Sequence, residues 1–239
     1  MYTRRAFLAL FLPLAAALFV GNWAGIGEGV GGVAPFFAAL AVVSWFLGLR
    51  WYGVRGMGLR GGRPLFAGIG FATMPWVALL LFRFIFPVVG GFGFGTAVAG
   101  RAFLYLLIFE AFALQLWTFG VFFRAAADWL GPLTAGVSSG ILFGFVASLL
   151  FQEQLISDWS SFLFFALWGV LYGLIRLRTG SFLGIVIVQA LQSFTTWVVL
   201  LPAQSPVVSR LQTMYVLTAA AYLIFIWRLW PKQEEDYRV

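Results

Sequence analysis

Long apolar segments separated by short polar or charged stretches run along the whole 239-residue chain. A transmembrane α-helix needs about 20 mostly apolar residues to cross the hydrocarbon core of a bilayer. Eight segments meet this requirement: residues 6–23, 32–49, 64–88, 99–125, 132–152, 159–177, 181–201 and 208–230. The pattern therefore predicts an all-α membrane protein, a single polytopic bundle of about eight transmembrane helices over residues 1–239.

The positive residues indicate the orientation of this bundle, because cytoplasmic loops are enriched in Lys and Arg. With the N-terminus inside, only Arg101 and Arg210 lie near outer loops, and Arg83 lies within a segment. The other twelve fall on the cytoplasmic side: Arg4, Arg5, Arg50, Arg55, Arg60, Arg63, Arg124, Arg176, Arg178, Arg228, Lys232 and Arg238. We therefore expect both termini, including a charged tail at 231–239, to be cytoplasmic.

The first segment has a second interpretation. Thr3, Arg4 and Arg5 before an apolar run resemble a twin-arginine export signal. Seven further apolar segments favour a first transmembrane helix with a positive cytoplasmic flank. The expected location is an integral position in a bacterial inner (cytoplasmic) membrane.

Composition removes several classes of chemistry. The chain is 62% apolar and 10% charged, and it contains no His and no Cys. Disulfides, thiolate nucleophiles, Ser-His or Cys-His catalytic units and metal sites built from His or Cys are thereby excluded. The net charge is +7, and the basic residues lie between apolar runs rather than on one basic face. Nucleic-acid binding needs such a face, so we expect no nucleic-acid partner.

Small residues recur at four-residue spacing in two of the segments. Gly136, Gly140 and Gly144 share one face of the fifth segment, and Gly169 and Gly173 share one face of the sixth. Such stripes let two helix backbones approach closely within a membrane. We expect them to support packing inside the bundle, with the docking of a partner helix as the alternative.

Ionisable and amide side chains inside the segments are costly to bury and therefore informative. Arg83 in the third segment and Glu110 in the fourth could meet across antiparallel helices as an ion pair. The alternatives are an Arg that snorkels outwards beside a protonated Glu, or a proton or cation site. Gln115, Gln189 and Gln192 could hold helices together by amide hydrogen bonds.

The order of residues from 100 to 200 resembles a known family. The stretch GVFFRAAADWLGPLTAGVSSGILF from Gly120 to Phe143 is similar to the core of the CAAX protease and bacteriocin-processing (CPBP) intramembrane proteins. The later segment LFFALWGVLYGLIRLRTGSFLGIVIVQALQSF, with its Arg-Leu-Arg-Thr-Gly-Ser turn at 176–181, looks like that family's following helices. The resemblance implies a CPBP-like helical bundle with its core at 100–200.

The residues that matter for the family's activity differ here. The first motif, E-E-x-x-x-R, falls on Leu114, Gln115 and Phe119. The His of the second motif, F-x-x-x-H after Phe143, falls on Ala147, and the third motif's His falls on Gln189, with Ser193 four residues later. The resemblance implies that Glu and His side chains activate water for peptide hydrolysis. None of the five substitutes can do so.

The expected function is therefore that of a catalytically inactive CPBP-like protein, an accessory, scaffolding or assembly subunit of a larger membrane complex. Its partners would be the bilayer and other membrane-protein subunits. No cofactor would be required, although a bound lipid, quinone or carotenoid would suit segments this rich in aromatic residues. The alternatives are a hydrolase with altered chemistry centred on Glu110, a bacteriocin-immunity protein, and a solute or proton carrier using Arg83 and Glu110.

Overall fold

A computed structural model describes residues 2–25, 33–86, 89–92, 96–150, 158–202 and 207–238. Some ends of the predicted segments (32, 87–88 and 151–152) and the last tail residue, 239, lie outside these ranges. Within them, seven helices are long and apolar enough to cross a membrane. The prediction of an all-α, multi-pass membrane bundle is confirmed.

The seven long helices are α1 (Tyr2–Ala24), α2 (Ala34–Trp51), α4 (Arg63–Ile85), α5 (residues 96–130), α6 (Pro132–Leu150), α7 (Trp159–Thr179) and α9 (Val208–Leu229). The shorter elements are α3 (Gly53–Gly56), α8 (Leu183–Phe194), the strands β1 (Val89–Phe92) and β2 (Leu200–Pro202), and a 3₁₀ turn at Glu234–Asp236. Helices α5 and α7 are central, with 72% of their apolar windows buried, against 22–28% for α1, α2 and α4. The outer helices therefore present most of the lipid-facing surface.

The eighth predicted segment, 181–201, forms the shorter helix α8. Its 12 α-helical residues continue as a π-helical turn at Thr195–Val199. The backbone becomes extended at Leu200, and β2 then pairs antiparallel with β1. This hydrogen-bonded strand pair follows α8 and α4, so it joins their far ends and satisfies polar backbone groups there.

Helices α6 and α7 pack with their backbones in direct contact, and both predicted glycine stripes lie between them. An added Cβ at Gly140 would lie 2.6 Å from the Gly169 carbonyl oxygen, and one at Gly144 would lie 2.5 Å from the Phe165 carbonyl oxygen. A Cβ at Gly173 would overlap the Gly136 carbonyl oxygen. The two backbones touch directly, which only residues without a side chain allow.

Arg176, near the end of α7, is completely buried and connects three distant parts of the chain. Its Nε donates to the Phe119 carbonyl oxygen at 3.1 Å, and its Nη2 and Nη1 donate to those of Met57 and Arg238, both at 3.4 Å. The guanidinium also lies 4.7 Å from the centre of the Phe123 ring. A single side chain therefore fixes the α3–α4 connection, α5 and the C-terminal tail together.

Contacts around this arginine place several predicted cytoplasmic positions at one end of the bundle. Ser181 Oγ donates to the Arg60 carbonyl oxygen at 2.8 Å, and the Arg238 backbone N–H donates to the Leu177 carbonyl oxygen at 2.9 Å. Arg178 forms an ion pair with Asp236 at 2.7 Å. We call this end, which carries the α3–α4 connection, the α7–α8 turn and the tail, the arginine end.

Replacing Gly140 with Ala should lower the free energy of unfolding by about 1–3 kcal/mol, because the new methyl group overpacks the α6–α7 contact. Thermal unfolding in detergent, followed by circular dichroism, measures the change. The control is Gly70→Ala on the exposed side of α4, where an added Cβ meets no atom within 4 Å. That variant should be neutral or gain up to about 1 kcal/mol of helix propensity. Equal stability of G140A and the parent protein would contradict the close contact.

Candidate functional site

Two polar pairs join α5 to α8 in the centre of the bundle. Gln115 Nε2 donates to Gln189 Oε1 at 2.5 Å, and Ser193 Oγ donates to Glu110 Oε1 at 2.6 Å. Gln115 and Gln189 have no exposed surface, Ser193 is 3% exposed and Glu110 is 7% exposed. Three of these four residues occupy positions that the CPBP resemblance singles out. We call the four together the polar pairs.

Helix α5 departs from regular α-helical winding near the polar pairs. Residues Leu106–Ala111 and Leu116–Phe122 are π-helical, and the Phe112 N–H bonds to the Leu107 carbonyl oxygen five residues back. Residues Phe112–Gln115 between them are α-helical. Glu110 and Gln115 contact Ser193 and Gln189 in antiparallel order on α8.

The amide pair leaves two polar atoms unsatisfied by the protein. Gln115 Oε1 and Gln189 Nε2 are buried and have no hydrogen-bond partner among the described residues. An acceptor and a donor thus lie on neighbouring side chains in an apolar interior, where unsatisfied polar groups are costly. This arrangement can hydrogen-bond one small polar group. Within the described ranges, no cluster of three His, Cys, Asp or Glu residues could hold a metal ion.

The remaining positions singled out by the resemblance hold packed apolar side chains. Leu114, Phe119 and Ala147 are all completely buried. The Phe119 ring lies 5.7 Å from that of Phe143, which in turn contacts the rings of Trp168 and Tyr172. These positions therefore carry packed apolar side chains instead of ionisable groups.

Helix α8 packs against both α4 and α5, so it lies between the helices that carry Arg83 and Glu110. Gly184 allows this close approach, since an added Cβ there would lie 2.5 Å from the Ile69 backbone nitrogen of α4. Trp76 Nε1 of α4 also donates to Thr195 Oγ1, at 3.1 Å. Arg83 is buried, and within the described residues no ion pair joins it to Glu110. Glu110 instead receives its hydrogen bond from Ser193.

Sequence reasoning missed the pairing of Ser193 with Glu110 and the link from Trp117 to α1. Trp117 Nε1 donates to the Ala9 carbonyl oxygen at 3.0 Å, which anchors the peripheral α1 to the central α5. Positions 189 and 193 share one face of α8, but no sequence pattern marks Glu110 as the partner of Ser193.

No family model matches the chain, and no curated protein or solved structure matches it.

Replacing either member of the amide pair alone should be more harmful than replacing both. Gln115→Leu or Gln189→Leu leaves a buried amide without its partner, which costs about 1–3 kcal/mol, whereas the double variant removes both polar groups. Unfolding free energies of the four proteins in this double-mutant cycle give the coupling. A parallel cycle combines Gln115→Leu with Thr213→Ala, at an exposed position on α9, and should be additive. Additive losses in the first cycle would contradict the pairing.

Proposed function

We propose that this protein is a non-catalytic CPBP-like membrane subunit that acts in the scaffolding or assembly of a larger membrane complex. The observation that carries the proposal is the chemistry of five positions. Buried Leu114, Phe119 and Ala147 replace ionisable groups at three of them, and the amides of Gln115 and Gln189 bond to each other at the other two.

These groups cannot perform the hydrolysis that the resemblance implies. General-base catalysis needs a side chain that accepts a proton near neutral pH, and an amide does not. The aromatic packing around Phe119 and Phe143 also excludes a peptide from the same space. The polar pairs therefore serve to hold α5 against α8 in a fixed register.

The packing also restricts where a partner or an apolar cofactor would bind. Both glycine stripes are used between α6 and α7, so a partner helix must dock elsewhere. We expect a lipid, quinone or carotenoid to contact the outer surface, where the apolar side chains are exposed. The outer helices offer exposed aromatic side chains such as Phe19 and Trp23, which are 72% and 82% exposed.

Native purification tests the subunit proposal. After cross-linking in intact membranes and extraction with a mild detergent, the protein should co-migrate with defined partners in a fixed ratio, above the 26.4 kDa of one chain. Glu110→Gln should leave the complex intact, because the role proposed for the chain is structural and the amide can still accept the Ser193 hydrogen bond. A chain that is never cross-linked and migrates as a monomer would contradict the proposal.

A second function is favoured by one observation, the 2.6 Å hydrogen bond from Ser193 Oγ to the Glu110 carboxylate. A buried carboxylate that accepts a hydroxyl proton is the arrangement that activates a serine nucleophile. This is the altered hydrolase centred on Glu110. Against it, the other positions that the resemblance singles out, Leu114, Gln115, Phe119, Ala147 and Gln189, supply no ionisable group to protonate a leaving group.

A serine-directed fluorophosphonate probe separates these two functions. The subunit proposal expects no labelling of the protein in native membranes. The hydrolase alternative expects labelling that is lost in Ser193→Ala and reduced at least tenfold in Glu110→Gln, since one positioned base contributes about 10²–10⁴-fold. Ser139→Ala, at another buried serine, is the control and should change nothing. Labelling that depends on Ser193 would therefore establish the hydrolase and refute the inactive subunit.

A further inference from the structure

Three arginines converge on a cavity of about 550 Å³ between the start of α1 and the end of α2. Its lining consists of Arg4, Arg5 and Leu8 from α1 with Arg50 and Trp51 from α2. No acidic residue is part of that lining. Three like charges held around one opening repel each other, so the site favours an anion that neutralises them.

The ends of the two helices make this site more favourable for an anion. The first turn of α1 carries Arg4 and Arg5 and no acidic residue, so no carboxylate of its own complements the free N–H groups there. Such N–H groups and the helix dipole attract negative charge. Arg50 lies in the last turn of α2, where a cation is stable.

A second arginine-lined cavity in the same structure shows what happens when the chain supplies its own anions. This cavity of about 290 Å³ is lined by Arg63, Arg178 and Arg238 but also by Glu235 and Asp236. The backbone N–H of Lys232, with the Gln233 N–H and Arg178, holds the pKa of Asp236 below its usual value. The tail therefore provides acidic side chains here, whereas the lining of the α1–α2 cavity has none.

The apolar part of the α1–α2 cavity indicates the source of the anion. Leu8 and Trp51 form one side of it, and the adjoining face of α1 exposes Phe11 and Leu12 at 55% and 45%. A free inorganic ion gains nothing from an apolar wall. A phospholipid places its phosphate among arginines and its acyl chains along such a helix, and Trp commonly lies at the headgroup level.

We propose that Arg4, Arg5 and Arg50 bind the phosphate of an anionic phospholipid at the α1–α2 cavity. The predicted orientation puts this site at the cytoplasmic face of the membrane, where basic residues meet anionic headgroups. The site is remote in the chain from the polar pairs and does not depend on the proposed function.

Native mass spectrometry of the delipidated protein tests this binding. The probes are phosphatidylglycerol, phosphatidylcholine of identical acyl chains, and inorganic phosphate. Wild-type protein should prefer phosphatidylglycerol, and the Arg4→Gln/Arg50→Gln double variant should lose about thirtyfold in affinity for it, since each surface cation contributes about fivefold. The matched control, Arg63→Gln/Arg178→Gln, removes the same charge from the second cavity, which the tail lines. This variant should keep the preference for phosphatidylglycerol.

Each outcome decides the proposal. No preference for phosphatidylglycerol, or an equal loss in both double variants, would show only a general effect of net charge and overturn it. Inorganic phosphate that displaces the lipid at equal concentration would assign the site to a free anion instead. Arg4→Lys/Arg50→Lys, which keeps the charge, should retain most of the binding. A gel-filtration peak that matches that of the parent protein excludes misfolding of a variant as the cause of a loss.

Discussion

The arginine end of the molecule depends on the need to satisfy one buried guanidinium. Arg176 is completely buried, and the structure gives it backbone carbonyl oxygens and an aromatic ring as partners. Burying a charge is tolerated only when hydrogen bonds replace those lost from water. Because the three carbonyl groups belong to three distant segments, the bonds of one side chain determine where those segments lie. Gly58, with φ of +91°, allows the approach, since a Cβ there would lie 2.5 Å from the guanidinium.

The same requirement links the arginine end to the centre of the bundle. In a regular α-helix the Phe119 carbonyl oxygen would accept the N–H of Phe123. At the end of this π-helical turn the Phe123 N–H bonds to the Thr118 carbonyl oxygen instead, and the Phe119 oxygen accepts the Arg176 Nε–H. Glu110 lies in the other π-turn of α5 and accepts the Ser193 hydrogen bond. The two irregular turns of α5 are thus the places where it contacts a buried cation and a polar side chain of α8.

The sequence alone predicted the elements and one helix contact, because both leave a periodic signal. Apolar segments of about 20 residues predict transmembrane helices. The four-residue spacing of Gly136, Gly140 and Gly144 indicates a close approach of two helix backbones. The polar pairs leave no such signal. The π-turns of α5 have no compositional mark, so its departure from 3.6 residues per turn could not be predicted. The contacts of Arg176 could not be predicted either, because its three acceptors are backbone carbonyl oxygens, which every residue has.

The proposed non-catalytic role rests on how the buried polar groups of α5 and α8 are hydrogen-bonded. A catalytic site needs a base, a group that stabilises developing charge, and space for substrate within about 3 Å of both. The Glu110 carboxylate has a hydrogen bond from Ser193, but the next polar group along α5 is Gln115, which is bonded to Gln189. Beyond it, Phe119 packs on Phe143 instead of supplying a cation. The amides at positions 115 and 189 and the aromatic ring at position 119 thus hold helices together, and this packing is the main support for the proposed structural role.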